Sequence, residues 1–387
     1  MLFTPEAHEP LVNEPWSAES ARTAIATIAA DAERAFDDGW ATHPLDVDDE
    51  NDARTRFRTV YLGGAGVVDA LHRLERRGFV ELERDYVPYL ERSLEAEPDF
   101  PDHDPERSLW MGETGIRLVL QQLSPSTENA DRLAELIAAN AEDERCEVMW
   151  GSPGTMLAAA AMHELTGEAR WLELWRESAA WLRGAWDPDT GLWTQHLYGR
   201  VYQSFGPAHG FAGCMVALAR DADHELHRRA AATTARYAIE EDGLANWPPA
   251  SDEGLVHKRS GSIRVQWCHG APGVVASLAS FAPGDEEHEE LMRAGGELTW
   301  RAGPLAKGAN LCHGTAGNGY AFLALLERTG DEHWLTRARA FAMQAAGQVE
   351  QARSDHGRGR YTLWSGDLGT ALYLADCIDG RGNLPLP

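Results

Sequence analysis

Two short stretches of the chain nearly repeat each other. Trp267-Cys268-His269-Gly270-Ala271-Pro272-Gly273 and Leu311-Cys312-His313-Gly314-Thr315-Ala316-Gly317 share the pattern Cys-His-Gly-x-x-Gly. Thiolate and imidazole groups suit a tetrahedral zinc ion, which would also keep the cysteines deprotonated. If all four Cys and His side chains bound one ion, the site would be closed and structural; with three, one position stays open for catalysis. The interval between Cys268 and Cys312 matches no zinc-finger spacing, so only the tertiary fold can bring the two stretches together. Unpaired cysteines are also common core residues, so packing is the competing reading of each.

Further groups of the same kind stand nearby. His209 precedes Gly210 in "GPAHGFAG", with Cys214 just after the second glycine, and Cys146 and Glu147 lie shortly before "GSPG". What these places share is a Gly-x-x-Gly pair. Such pairs begin at Gly63, Gly112, Gly151, Gly210, Gly270, Gly314 and Gly366. A period near 50 residues sustained over the chain marks a repeat array.

Each pair opens an apolar stretch with helical spacing, such as Val67, Val68, Leu71 and Leu74 after Gly66. Amphipathic segments lie upstream of the pairs, clearest at Ala169 to Trp186 and Asp331 to Gln351. Strand signals are scarce. Two helices per repeat predict an all-α double ring, an α,α-toroid of seven inner and seven outer helices, in one domain over 1–387. An open solenoid is the alternative, although no terminal repeat reads as a capping unit. Inner-helix N-termini gathered at one end would present free N–H groups to anions or thiolates, and the Cys, His and Glu side chains would converge there.

Composition narrows the function classes. The formal net charge of −26 disfavours nucleic acid and anionic membrane as partners. No window is apolar enough for a membrane span, and the N-terminus lacks a secretory signal, so a cytoplasmic location is expected. Five thinly spread cysteines argue for reduced thiols rather than a disulfide framework. Lysine is confined to Lys258 and Lys307. The acidic excess fits either adaptation to high salt or coding bias.

The motifs "AHGFAG", "QWCHGAPG" and "KGANLCHGTAGNGYAFL", in this order within the glycine-pair array, resemble the lanthionine synthetase C-like (LanC-like) family from about Tyr61 to Leu374. The resemblance implies an α,α-toroid and a zinc ion held by Cys268, Cys312 and His313, with the fourth position left to water or a substrate thiol. It makes His269 a wall or substrate-side residue rather than a ligand. It also implies addition of a thiol to the β-carbon of dehydroalanine or dehydrobutyrine, giving a thioether. His209 would be the acid/base histidine, Arg264 would hold a substrate carbonyl or enolate oxygen, and Glu147 would orient or stabilise His209. Glu147 stands where the peptide cyclases carry aspartate. With Lys307, which matches a lysine associated with glutathione binding, and "NWPP" at Asn246 to Pro249, it resembles the eukaryotic-type branch more closely.

Zinc has a definite task in such chemistry. A free thiol is only about 3% ionised at neutral pH, so full ionisation raises the nucleophile population ~30-fold, about 2 kcal/mol. A positioned general acid contributes a further ~10²- to 10⁴-fold. The implied partners are glutathione or a similar small thiol and a peptide or protein containing a dehydroamino acid. Cyclisation of a precursor peptide and non-catalytic binding of zinc and glutathione are the alternatives. A carbohydrate-active α/α-barrel is a third reading, suggested by 14 tryptophans and abundant acids. Arg358 and Arg360 in "HGRGRYTLWSG" read as a solvated basic loop.

Overall fold

The glycine pairs set the architecture. The computed structural model describes residues 2–47, 52–103, 105–250, 263–382 and 384–386; Lys258 lies outside them. Seven inner helices follow the pairs: α2 (Gly64–Arg76), α4 (Glu113–Leu123), α6 (Ser152–Thr166), α8 (Phe211–Leu218), α10 (Ala271–Leu278), α12 (Thr315–Thr329) and α14 (Asp367–Asp379). The residue capping each N-terminus is the first glycine of its pair.

The second glycine has one recurring reason. A Cβ at Gly66, Gly115, Gly154, Gly213, Gly273, Gly317 or Gly369 would collide with the carbonyl oxygen six residues earlier, such as that of Leu311 beneath Gly317. The loop folds so tightly onto the first turn of the helix that only a hydrogen atom fits.

α1 (Ala18–Arg34) precedes the first inner helix, and between the others in sequence run α3 (Val87–Glu95), α5 (Thr127–Ala139), α7 (Ala169–Gly184), α9 (His224–Tyr237), α11 (Glu286–Ala302) and α13 (Glu332–His356). They carry polar outer faces, and Asp or Ser side chains cap several, including Asp223, Asp285 and Asp331. Each inner helix packs on the next, and α14 packs on α2. The ring is therefore closed, and the array is an α,α-toroid rather than an open solenoid.

Three short antiparallel hairpins were not expected from the sequence. They are β1 (Trp186–Asp187) with β2 (Leu192–Trp193), β3 (Gln195–Leu197) with β4 (Arg200–Tyr202), and β5 (Ile239–Glu241) with β6 (Leu244–Asn246). They sit in the connections between outer and inner helices. Among the described residues no helix is long and apolar enough to cross a membrane. Trp110, Trp171, Trp193, Trp247, Trp334 and Trp364 are fully buried, which leaves their faces to the core rather than to sugar stacking.

Candidate thiol site at the helix N-termini

The loops before the inner helices are laced side by side. Tyr61 N–H donates to the Trp110 carbonyl, Cys268 N–H to that of Cys312, and Cys312 N–H to that of Trp364. All these residues lie two positions before the first glycine of their repeats. The ring thus stacks equivalent positions, and two of them are cysteine.

Both cysteines are buried and neither forms a disulfide. Their thiols are in hydrogen-bonding contact. Tyr61 Oη donates to Cys312 Sγ at 2.8 Å, and Gln266 Nε2 donates to Cys268 Sγ at 2.9 Å. The Cys268 thiol is pulled below its ordinary value, first by the hydrogen bond from Cys312, then by Gln266 and the positive charges of His209 and Arg264, against the cost of burial. Cys312, the donor in that pair, is pushed up.

His209, His269 and His313 share the position immediately before the first glycine in repeats four, five and six. His209 Nδ1 lies 2.7 Å from Glu147 Oε2. Burial opposes protonation of this imidazole, but the Glu147 hydrogen bond and charge outweigh it and raise its pKa, with a further contribution from Cys268. Glu147 has no exposed surface, and its carboxylate also accepts the N–H groups of Met149, Trp150 and Gly151 at the start of α6. Tyr198, at the tip of the β3–β4 hairpin in the left-handed region (φ 52°), places its ring edge-on to His209 with centroids 6.2 Å apart.

His313 lines a cleft of about 670 Å³ together with His43, Asp46, Phe100, Arg360 and Tyr361. Burial first, then the charges of Arg360 and Lys307, lower its pKa to about 4 and keep the ring neutral. Lys307 and Arg264 are exposed, and both exert their positive charge on the site: Lys307 on Cys312 and His313, Arg264 on Cys268 and His313. His269 is half-buried, and its backbone exchanges hydrogen bonds with Gln266.

Among the described residues no three His, Cys, Asp or Glu side chains are gathered as a metal site. The donors nonetheless fit zinc in kind. Two buried thiols touch, one of them disposed to ionise, and the next residue in the chain is a neutral imidazole. The remaining thiols stand apart from this role. Burial pushes Cys146 up to about 12, and Cys214 donates to the Cys146 carbonyl at 3.1 Å.

One sequence expectation changes. The basic loop is not solvated: Arg360 Nε donates to Asp46 Oδ2 at 2.7 Å, both largely buried, and Arg358 donates to the Ala41 carbonyl at 2.6 Å. Asn246 of "NWPP" is a buried connector, accepting from Ala271 N–H at 2.8 Å and donating to the Leu2 carbonyl at 2.8 Å. Tyr61, Gln266 and Tyr198 were missed by sequence reasoning. For the first two a signal existed: Tyr61 holds in repeat one the place of Cys268 and Cys312, and Gln266 holds in repeat five the place of Glu147.

A family model described as lanthionine synthetase C-like protein matches residues 58–385. A glutathione S-transferase, LANCL1, of Danio rerio is 39% identical over 126 residues, 32% of this chain and 31% of its own length. The LanC-like protein GCL1 of Arabidopsis thaliana is 31% identical over 182 residues, 45% of this chain and 40% of its own length. The aligned stretches thus span less than half of these curated relatives. Nisin cyclase shares the fold, with a TM-score of 0.58 at 16% identity over 95% of this chain and 100% of that one.

Proposed function

Because the chain belongs to the lanthionine synthetase C-like family, we propose that it is a zinc-dependent enzyme joining a thiol to a dehydroamino acid, built as one unit over residues 1–387. The observation that carries this reading is the contacting pair of buried, reduced thiols, Cys268 and Cys312, beside a histidine hydrogen-bonded to Glu147, which favours its charged form. Cys268, Cys312 and His313 would hold the metal. Zinc, when bound, would keep an incoming thiol ionised at neutral pH.

The chain's own groups account for the rest. The S–H adds across the C=C bond: sulfur bonds to the β-carbon, and the α-carbon takes a proton. His209 is suited to hold that proton, since the Glu147 carboxylate favours its charged form, and to deliver it from Nε2 while Nδ1 stays bonded to Glu147. Arg264 and Lys307 exert positive charge on the thiol pair and His313, which suits them to stabilise an enolate oxygen or a substrate carboxylate. The cleft beside His313 is large enough for a tripeptide thiol or a segment of peptide.

A small thiol such as glutathione is the favoured nucleophile, over a cysteine of a precursor peptide. The support is Lys307, whose charge acts on both Cys312 and His313, together with the printed name of the Danio rerio relative. Zinc-loaded protein mixed with a dehydroalanine peptide and glutathione should give the thioether adduct, detected by mass. An uncatalysed rate, or full activity in Cys312→Ala, would overturn the proposal, and tight glutathione binding without turnover would point to a binding protein instead.

A further inference from the structure

Four positions before the first glycine, three repeats carry a buried polar residue that folds back onto its own loop. Ser108 Oγ accepts the Met111 N–H, Glu147 accepts those of Met149, Trp150 and Gly151, and Asn310 Oδ1 accepts that of His313. Repeat five departs from this pattern. Gln266 has one more methylene than asparagine, and its Nε2 reaches Cys268 Sγ at 2.9 Å.

Two positions before the first glycine there is a second departure. Trp110 and Trp364 fill this place with indole rings, packed edge to face at 5.1 Å. In repeat one the place belongs to Tyr61, whose ring stacks on Trp364 at 6.1 Å and 19°. Stacking carries the phenol past repeat seven, so that its Oη meets Cys312 Sγ of repeat six at 2.8 Å. Each sulfur of the pair thus receives one hydrogen bond from a polar side chain held by the floor of the ring.

We propose that Tyr61 and Gln266 are positioning residues of the thiol pair, Tyr61 holding the Cys312 sulfur and Gln266 the Cys268 sulfur. This rests on the reading of that pair as the metal site. A donor aimed at a thiolate fixes the direction of its lone pairs and withdraws electron density from it, so it sets both metal affinity and the charge left on sulfur. The two donors act from different repeats, one on each sulfur, so their effects are separable. A purely structural role would affect stability and leave the electronic state of the sulfurs unchanged.

The test uses Co²⁺ as a spectroscopic probe in the full chain. Tyr61→Phe deletes only the hydroxyl, and Gln266→Met keeps the volume and deletes the amide. In each variant the sulfur-to-cobalt charge-transfer band should move to lower energy, because the sulfur has lost a hydrogen bond. The metal dissociation constant should rise ~10-fold or more, and the double variant should sum the two band shifts. Two variants in separate repeats keep the test open if one fails to fold. A wild-type thiolate band that neither folded variant shifts, with unchanged affinity, overturns this inference and leaves the metal reading standing. No thiolate band in the wild type overturns both.

Discussion

His209 Nδ1 lies 2.7 Å from Glu147 Oε2, a contact made across 62 residues of sequence by a carboxylate with no exposed surface. The same carboxylate receives three N–H groups from the loop that leads into α6, the last from its N-cap Gly151. It is held in one orientation by its own repeat and therefore presents a fixed oxygen to the histidine of the next.

Glu147→Gln should lower the pKa of His209 below the ordinary value of about 6.5, since burial then acts with little opposition. An NMR titration of the His209 ring measures this directly. The sign for stability follows. A histidine whose folded pKa is raised stabilises the fold fully below pH ~6.5, and that contribution is lost as pH rises through the folded value. The stability gap between wild type and Glu147→Gln should therefore narrow at alkaline pH, and a gap that widens there would contradict the pairing.

Metal content separates the roles of the two sequence-equivalent histidines. Purified in zinc, wild type and His269→Ala should each retain one equivalent, while Cys312→Ala and His313→Ala should lose it. Elemental analysis per chain is the measurement. Equal loss in His269→Ala and His313→Ala would restore a closed site of four protein ligands.

Gly317→Ala should destabilise the fold by about 3 kcal/mol, at the upper end for overpacking, because the added methyl meets the Leu311 backbone, which cannot step aside. Gly347 lies in α13 with open space around its Cβ position. Gly347→Ala should stabilise by about 0.5–1 kcal/mol through helix propensity. Denaturant unfolding of both variants tests whether the close approach or a general preference explains the glycine pairs.

Asp367 begins α14, and burial raises its pKa to about 7. Between pH ~4 and 7 the folded chain then binds more protons here than the unfolded chain, so this group makes stability fall as pH rises through that window. Asp367→Asn keeps an acceptor for the Arg360 N–H, which lies 2.8 Å from Oδ2. It should flatten the decline, measured as the difference in melting temperature between pH 5 and pH 8.

Much of the ring was legible because its signals are local. A first glycine caps each inner helix, and a second glycine lies against a carbonyl of its own loop. Both are contacts within a few residues, so periodicity alone exposes them. The hairpins escaped because their strands are two or three residues long, with little room for alternation. The left-handed pair Tyr198-Gly199 at one hairpin tip has no signature as plain as Asn-Gly.

The site was legible in its residue types and less so in its partners. His209, Glu147, Cys268 and Cys312 sit beside glycine pairs, and the structure brings them to one end of the ring. Arg360 read as a solvated cation because its acceptor, Asp46, lies 314 residues away. No spacing rule connects a loop after α13 with a turn near the N-terminus.

By itself, then, the sequence determined the repeat, the inner-helix starts and the set of groups available at them, since each follows from local sterics and helical periodicity. Tertiary structure decided which group meets which. Closure of the ring sets repeat one beside repeat seven, so Tyr61 reaches Cys312 across 251 residues. It also decided that Gln266 turns to sulfur while Glu147 and Asn310, at the equivalent positions, turn to their own backbones. Those choices depend on distances between separate loops, which exist only once all seven inner helices have packed.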